Sequence, residues 1–376
     1  MLNTTTLANS KNILVVIGAT GQQGGSVVNF VLQDPELSQK FTIRTLTRNP
    51  KNDSAAALAA KGVEIIEGDL DNSESLTKLM EGAHTVFGMT VSVYDGHTRE
   101  REIRQGKAMA DAALAAGVKY FIYSTLPRPS VTSRGMYMAC DHFEGKTDVE
   151  DYIRSLSPAM KSAFFSPGSF MQNLCDPHVM MPRRLDNNTW LIAHMVPEST
   201  LLPLVDITGD TGKYVGAMLA EPDKFEGKIV CAASELLSFT EVVKIISRLS
   251  GKEVNYMEVE EEMITKWMPP AARVMLTEMM RNTSEFGYYG SESKELVAWA
   301  GANARGKITT FEEFAAREIV LLLKEMKRDM NKTLRARCAT VCFSSHSYFH
   351  SHFFLFTSPS SLTVALAFSH AFLIFH

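Results

Sequence analysis

The sequence predicts an α/β fold: a doubly wound parallel sheet with a smaller, interleaved α+β region toward its C-terminal side. Two observations carry this expectation. Through the first 125 residues, short β-branched or apolar runs alternate with longer segments of helical period, and a glycine-rich turn joins the first run to the first helix. From about Pro158 the rhythm changes to short strand-like runs, Pro-bearing turns and isolated helices.

The predicted strands are the short β-branched or apolar runs Asn12 to Ile17, Phe41 to Thr47, Val63 to Glu67, His84 to Thr90 and Lys119 to Ser124. Helical period follows the first run from Ser26 to Leu32. A second helix ends with Leu58 to Lys61 at Gly62, and an Asp71-x-x-Glu74 capping pattern opens a third that stops at Gly82. A longer helix runs from about Thr98 to Gly117. Right-handed crossovers between these five strands give the doubly wound sheet. Farther on, the pattern predicts strands near Ala163 and at Lys228 to Ala232, and helices at Asp210 to Leu219, Thr240 to Leu249 and Thr310 to Lys327.

A chain of 376 residues with 45% hydrophobic and 21% charged side chains buries a core without metal or disulfide staples, which excludes small stapled scaffolds and disordered or collagenous chains. Lys and Arg total 38 against 42 Asp and Glu, a formal charge of -4 that argues against a whole-molecule grip on nucleic acid or anionic lipid. The five cysteines, Cys140, Cys175, Cys231, Cys338 and Cys342, form no CxxC and read as reduced thiols. Met1 to Lys11 is polar and lacks the apolar stretch of a secretory signal, so the cytoplasm is the expected compartment, with the nucleus as a second. The basic run from Lys324 to Arg337, interrupted by Glu325 and Asp329, reads as a helix C-terminus complementing its dipole.

No acidic residue follows Asp329, and the last 44 positions hold five of the ten His and eight of the 21 Phe. Cys338, Cys342, His346 and His350 recur every four residues, a spacing that on a helix spreads them too far along the axis to converge on one zinc ion, so no metal site is expected. The apolar run Ser361 to Phe375 is shorter than a bilayer span and contains His370, so no membrane anchor is expected. Removing residues 333–376 takes away two Arg and no acidic group, leaving a body of charge -6.

The strongest motif is Ile13-Leu-Val-Val-Ile-Gly18-Ala19-Thr20-Gly21-Gln22-Gln23-Gly24-Gly25. Gly18 permits a tight turn, Gly21 lets backbone approach a pyrophosphate, and Gly24 lets helix and strand pack closely. The phosphates then meet the free N–H groups of the helix N-terminus. Its place after a buried strand and before a helix identifies a Rossmann dinucleotide site. At the end of the second strand an NAD site wants an acidic residue for the ribose 2′-hydroxyl. Here the chain reads Thr47-Arg48-Asn49-Pro50-Lys51, whose cations suit a 2′-phosphate, so NADP(H) is the expected cofactor. Asp69, closing the third strand, suits either the adenine amino group or the cap of the next helix.

The glycine fingerprint, Thr-Arg-Asn-Pro after strand two and Gly-Asp-Leu-Asp after strand three resemble the NmrA-like family of atypical short-chain dehydrogenases. The similarity extends from about residue 12 to about 325, with further family-like stretches at His142-Phe-Glu-Gly-Lys146, Pro167 to Asn173, Val205 to Val215 and Glu285 to Gly290. The resemblance implies a Rossmann domain over residues 12–157 and an interleaved substrate-binding region over 158–330; the composition reads residues 1–11 as a disordered N-terminus and 331–376 as an unstructured tail. It places Gly18, Ala19, Thr20, Gly21, Gln22, Gln23 and Gly24 on the phosphates, and Arg48, Asn49, Pro50, Lys51 and Asn52 on the adenosine 2′-phosphate. It puts Asp69 and Leu70 near adenine, Thr90, Val91 and Ser92 near the nicotinamide, Lys146 on its ribose, and Phe170, Met171, Gln172 and Asn173 along the cofactor edge.

Ordinary short-chain dehydrogenases use Tyr-x-x-x-Lys on one helix. The matching positions are His142 and Lys146, so the Lys is present and the Tyr is not. His142 is a candidate general acid, because an unperturbed imidazole titrates near neutrality, although the sequence shows no second titratable partner and packing beside the cofactor is the plainer reading. Tyr137 is a weaker stand-in, five residues away and off that helix face. Family members without the Tyr are regarded as redox sensors acting through a protein partner. Two functions therefore stand: an NADPH-dependent oxidoreductase for a small organic substrate, and an NADP/NADPH sensor regulating transcription through a protein rather than by binding nucleic acid. Met257, Met263, Met268, Met275, Met279 and Met280 fall in the roof over the expected cleft, where either core packing or an adaptable apolar pocket would use them.

Overall fold

The alternating runs become β1 (Asn12–Val16), β2 (Phe41–Thr47), β3 (Glu64–Glu67), β4 (Ala83–Gly88) and β5 (Tyr120–Ser124) in the computed structural model, which describes residues 11–326 apart from 178 and 267. They are followed by β6 (Lys161–Pro167), β7 (Ser169–Phe170), β8 (Arg183–Arg184), β9 (Trp190–His194), β10 (Leu201–Val205), β11 (Ile229–Ala232), β12 (Glu235–Ser238) and β13 (Val254–Glu258). The large sheet is parallel throughout, in the order β11-β6-β5-β4-β1-β2-β3. The order reverses between β1 and β4, and ligands of open α/β sheets bind outside the strand ends at such a switch point.

The later chain contributes β6 and β11 to this sheet and builds two smaller ones, β12-β10-β7 and β13-β9-β8. A main hydrophobic core runs through the large sheet and its helices. A second gathers around Trp190, Phe239, Phe311 and Phe314. The helices Gln22–Gln33 and Ile207–Ala220 meet through Gly212 and Gly216: a Cβ at Gly212 would lie 2.4 Å from Phe30 Cβ, and one at Gly216 would lie 2.3 Å from the Phe30 ring. The Thr98–Ala115 and Asp141–Ser155 helices meet in the same way at Gly106, where a Cβ would stand 2.4 Å from Val149.

Two local expectations are corrected. The helix Ser73–Met80 is capped by Asn72, whose side chain accepts from the Ser75 amide, and not by Asp71, which instead accepts from Arg104 and Gln105. The helix Asp141–Ser155 starts after Cys140, so Tyr137 lies in the preceding loop rather than on a helix with His142. Thr310 caps the Phe311–Phe314 helix in a capping box with Glu313, at the start of the helix expected over 310–327. The expectations for residues 1–10 and for the tail at 331–376, its zinc-like spacing and apolar run included, lie outside the described residues.

Candidate functional site

At the C-terminal end of β1 the chain turns at Gly18 with φ of +68°, a left-handed conformation natural to glycine. The Gly21 amide closes the turn on the Gly18 carbonyl at 2.9 Å. A Cβ at Gly24 would lie 2.4 Å from that carbonyl oxygen and 2.7 Å from the Ala19 nitrogen, so any side chain there would force helix and loop apart. Gly21 caps the Gln22–Gln33 helix without a side-chain bond, and no acidic residue stands in its first turn. The N-terminal amides are thus free of side-chain acceptors, in the field that favours an anion. Gln22 Oε1 is buried without a partner, and Gln23 Oε1 accepts from the Ser124 hydroxyl at 2.7 Å. Ala19 is buried and Thr20 exposed on the same loop. This glycine cradle fits the diphosphate of a dinucleotide.

The ends of β2 and β3 bring Arg48 and Asp69 together, the guanidinium 3.9 Å from the carboxylate and largely exposed. Asp69 Oδ1 accepts from the Asp71 amide, which leaves capping to Asn72. Asn49 accepts from the Lys51 amide beside Pro50, and Asn52 caps the next helix through the Ala55 amide, so the basic loop is held by its own asparagines. Leu70 packs against the main core.

Past β4, Thr90, Val91 and Ser92 form the wall facing the Asp141–Ser155 helix. There Lys146 Nζ donates to the Thr90 carbonyl at 2.8 Å, to Thr90 Oγ1 at 3.1 Å and to Glu102 Oε2 at 2.7 Å. These acceptors match the three protons of the ammonium. Glu102 also receives the Thr90 hydroxyl at 2.7 Å and the Ser92 hydroxyl at 2.6 Å, and Tyr123 Oη lies 3.0 Å from Thr90 Oγ1. The sequence reading missed Glu102 because Thr98-Arg-Glu-Arg-Glu102 looks like a solvated helix start. The signal that finds it is its register: Thr98, Glu102, Gly106, Met109, Ala110 and Ala113 form the buried stripe of that helix.

His142 is 5% exposed, and its Nδ1 has no partner. Burial, reinforced by the nearby Lys146 ammonium, pushes its imidazole down to about 3. Burial thus leaves the ring neutral at pH 7, whereas the expectation of a general acid starts from an ordinary imidazole that titrates near neutrality. Its neighbours are the rings of Tyr94 at 5.6 Å and Phe143 at 4.7 Å. Tyr137 donates to Glu285 at 2.8 Å and is not among the residues lining the cavity described next.

One cavity of about 250 Å³ runs from Gln23 on the glycine loop past Thr90, Val91, Ser92, His142 and Lys146 to the roof supplied by the smaller sheets and the Pro270–Phe286 helix. Phe170 and Asn173 line it. Met171 is instead fully buried in the second core, and Gln172 is bonded to Asp206, Thr208 and the Ile207 amide. Of the six methionines singled out in the roof, Met268, Met279 and Met280 line the cavity, joined by Met89, Met180, Met181 and Met195. Met275 is buried, and Met257 is at the surface. Among the described residues no helix is long and apolar enough to cross a membrane.

Residues 10–315 match the NmrA-like family. An NmrA-like family domain-containing protein of Dictyostelium discoideum is 31% identical over 309 residues, covering 81% of this chain and 97% of that protein. The NmrA-like family domain-containing oxidoreductase FrzB of a Cladobotryum species is 26% identical over 304 residues, covering 75% of this chain and 88% of the relative. Among solved structures, the negative transcriptional regulator NmrA in complex with NADP superimposes with a TM-score of 0.70 at 26% identity, covering 84% of this chain and 98% of NmrA.

Proposed function

The chain belongs to the NmrA-like family, and from that premise we propose that it is an NADP(H)-dependent oxidoreductase acting on a small organic substrate. The observation that carries this reading is the apolar cavity continuous with the glycine loop, reaching from Gln23 past Lys146 to a methionine-rich roof. A protein that only reports redox state to a partner needs no such compartment beside the reactive end of its cofactor. When bound, a nicotinamide dinucleotide supplies or accepts a hydride.

The chain's own residues then divide the work. Gly18, Gly21 and Gly24 admit the diphosphate to the helix amides, while Arg48 and Lys51 face a 2′-phosphate, with Asp69 on the adenine side. Lys146, locked by Glu102 and Thr90, fixes the wall from Thr90 to Ser92, which would hold the nicotinamide half of the cofactor. His142, neutral and packed beside the Tyr94 and Phe143 rings, forms the cavity wall next to Lys146. Fold alone does not establish chemistry. The sensor reading draws on the missing Tyr and on the likeness to NmrA.

The deciding experiment titrates purified protein with NADPH, NADP⁺, NADH and NAD⁺ by fluorescence and then follows NADPH oxidation over a panel of carbonyl compounds. Binding and turnover are expected. Tight NADP(H) binding with no turnover on any acceptor favours the sensor, and a preference for NAD(H) overturns the role of Arg48. Arg48→Ala should weaken NADPH binding about tenfold while leaving NADH binding unchanged.

A further inference from the structure

We propose that the cavity selects an apolar ligand free of cationic groups that presents an acceptor oxygen to His194, a recognition residue that lines the same cavity as His142. The proposal deepens the oxidoreductase reading and rests on it for the identity of the site.

His194 ends β9, is 7% exposed, lies against the Phe239 ring at 5.4 Å and lines the cavity. Its Nδ1 is buried with no hydrogen-bond partner. Burial pushes the ring down to about 4, so it is neutral at pH 7 and carries one proton. A buried N–H without an acceptor is rarer than a buried lone pair without a donor. The proton therefore sits on Nε2, the one ring nitrogen that burial does not seal off. That nitrogen is a donor in a lining that holds Leu191 and Met195 and, as its cations, Lys146 and Arg183, and an acceptor on the ligand satisfies it.

The charge of the lining sets the other half of the specificity. No Asp or Glu occurs among the described residues that line the cavity. The nearby carboxylate, Glu102, is fully buried behind the wall and already engaged by Lys146, Thr90 and Ser92. A cationic ligand would thus lose its hydration without meeting a counter-charge. Methionine side chains, unbranched and polarizable, adapt to a flat ring system of varied outline.

The test uses three flat tricyclic probes of similar size: fluorene, its ketone fluorenone, and the cation proflavine. Binding to the full-length protein is measured by fluorescence or calorimetry without cofactor, so it does not depend on turnover. Fluorenone should bind about tenfold tighter than fluorene, the worth of one buried hydrogen bond, and proflavine more weakly than either. His194→Phe should abolish the ketone preference while keeping fluorene affinity, which also shows that the cavity has folded. His194→Gln, which retains a donor, should preserve part of it.

Equal wild-type binding of fluorenone and fluorene, or tighter binding of proflavine, overturns the proposal without any variant. Loss of the preference in His142→Phe but not in His194→Phe assigns it to the wrong imidazole and overturns it as well. Ketone-selective binding without NADPH oxidation would leave this inference standing and remove the oxidoreductase reading. Turnover on carbonyls with no ketone preference in binding would do the reverse.

Discussion

At the scale of single residues, the candidate site contains one buried ion pair, Lys146 with Glu102. Lys146 has Glu102, not a tyrosine, as its partner, and Glu102 is wholly buried. Removing one member of such a pair leaves a charge stranded in low dielectric, so Glu102→Gln should destabilise the protein by about 3 kcal/mol in urea unfolding and weaken NADPH binding. The double variant Glu102→Leu with Lys146→Met should recover most of the stability, because an apolar pair of similar volume avoids both desolvation costs, yet it should not recover NADPH binding. Recovery of both would reduce the pair to packing. Gly24→Ala makes the complementary case in the cradle. Its Cβ would sit 2.4 Å from the Gly18 carbonyl oxygen, so the loop must shift, with NADPH affinity falling at least about tenfold and stability by about 1 to 3 kcal/mol. Wild-type affinity in that variant would mean that the loop accommodates the methyl without moving the diphosphate.

At the scale of elements, the glycines that matter next are not in the nucleotide loop. Gly212 and Gly216 let the Ile207–Ala220 helix settle on Phe30 and Ser26 of the first helix, with the Gly212 amide donating to Ser26 Oγ at 3.0 Å. Since the first helix carries the phosphate-facing amides at its start, this contact sets the angle at which they meet a ligand. Gly212→Val should cost about 3 kcal/mol in denaturant unfolding and lower dinucleotide affinity as a second effect. Unchanged unfolding would show that the two helices can separate freely. What was legible in the sequence follows from the same physics. Short β-branched or apolar runs set between segments of helical period mark the strands of a parallel sheet, so β1 to β5 could be read directly, and β2 ends where predicted. The small sheets could not, because β7 and β8 are only two residues long and carry no period. The cap at Asn72 was missed because Asp71 and Asn72 are both good caps, and only the tertiary pairing of Asp71 with Arg104 decides between them.

For the whole molecule, the buried histidines link the site to the pH dependence of stability, something no spacing or motif in the sequence shows. His142 and His194 line one cavity, and burial depresses both, to about 3 and about 4, from about 6.5 in an unfolded chain. Partly buried His84 is shifted the same way, also chiefly by burial. Between those values the unfolded chain binds protons that the native protein refuses, so stability rises with pH across this window. The contribution is complete above about pH 6.5 and declines as pH falls toward the folded values, with a slope of at most about 1.4 kcal/mol per pH unit for each ring. Carboxylates act lower on the scale. Arg101 holds Asp95 down to about 2, and Lys307 does the same for Glu313, so their losses begin only as pH drops through the ordinary carboxylate range. Urea unfolding from pH 7 to pH 5 should therefore show a loss of stability, opposed by Asp141 and Asp210, whose carboxyls burial holds above the ordinary value, and His194→Gln should reduce its slope. A flat profile over that interval would mean that water or an unseen acceptor reaches the rings, and with it the donor assigned to His194 would lose its physical basis.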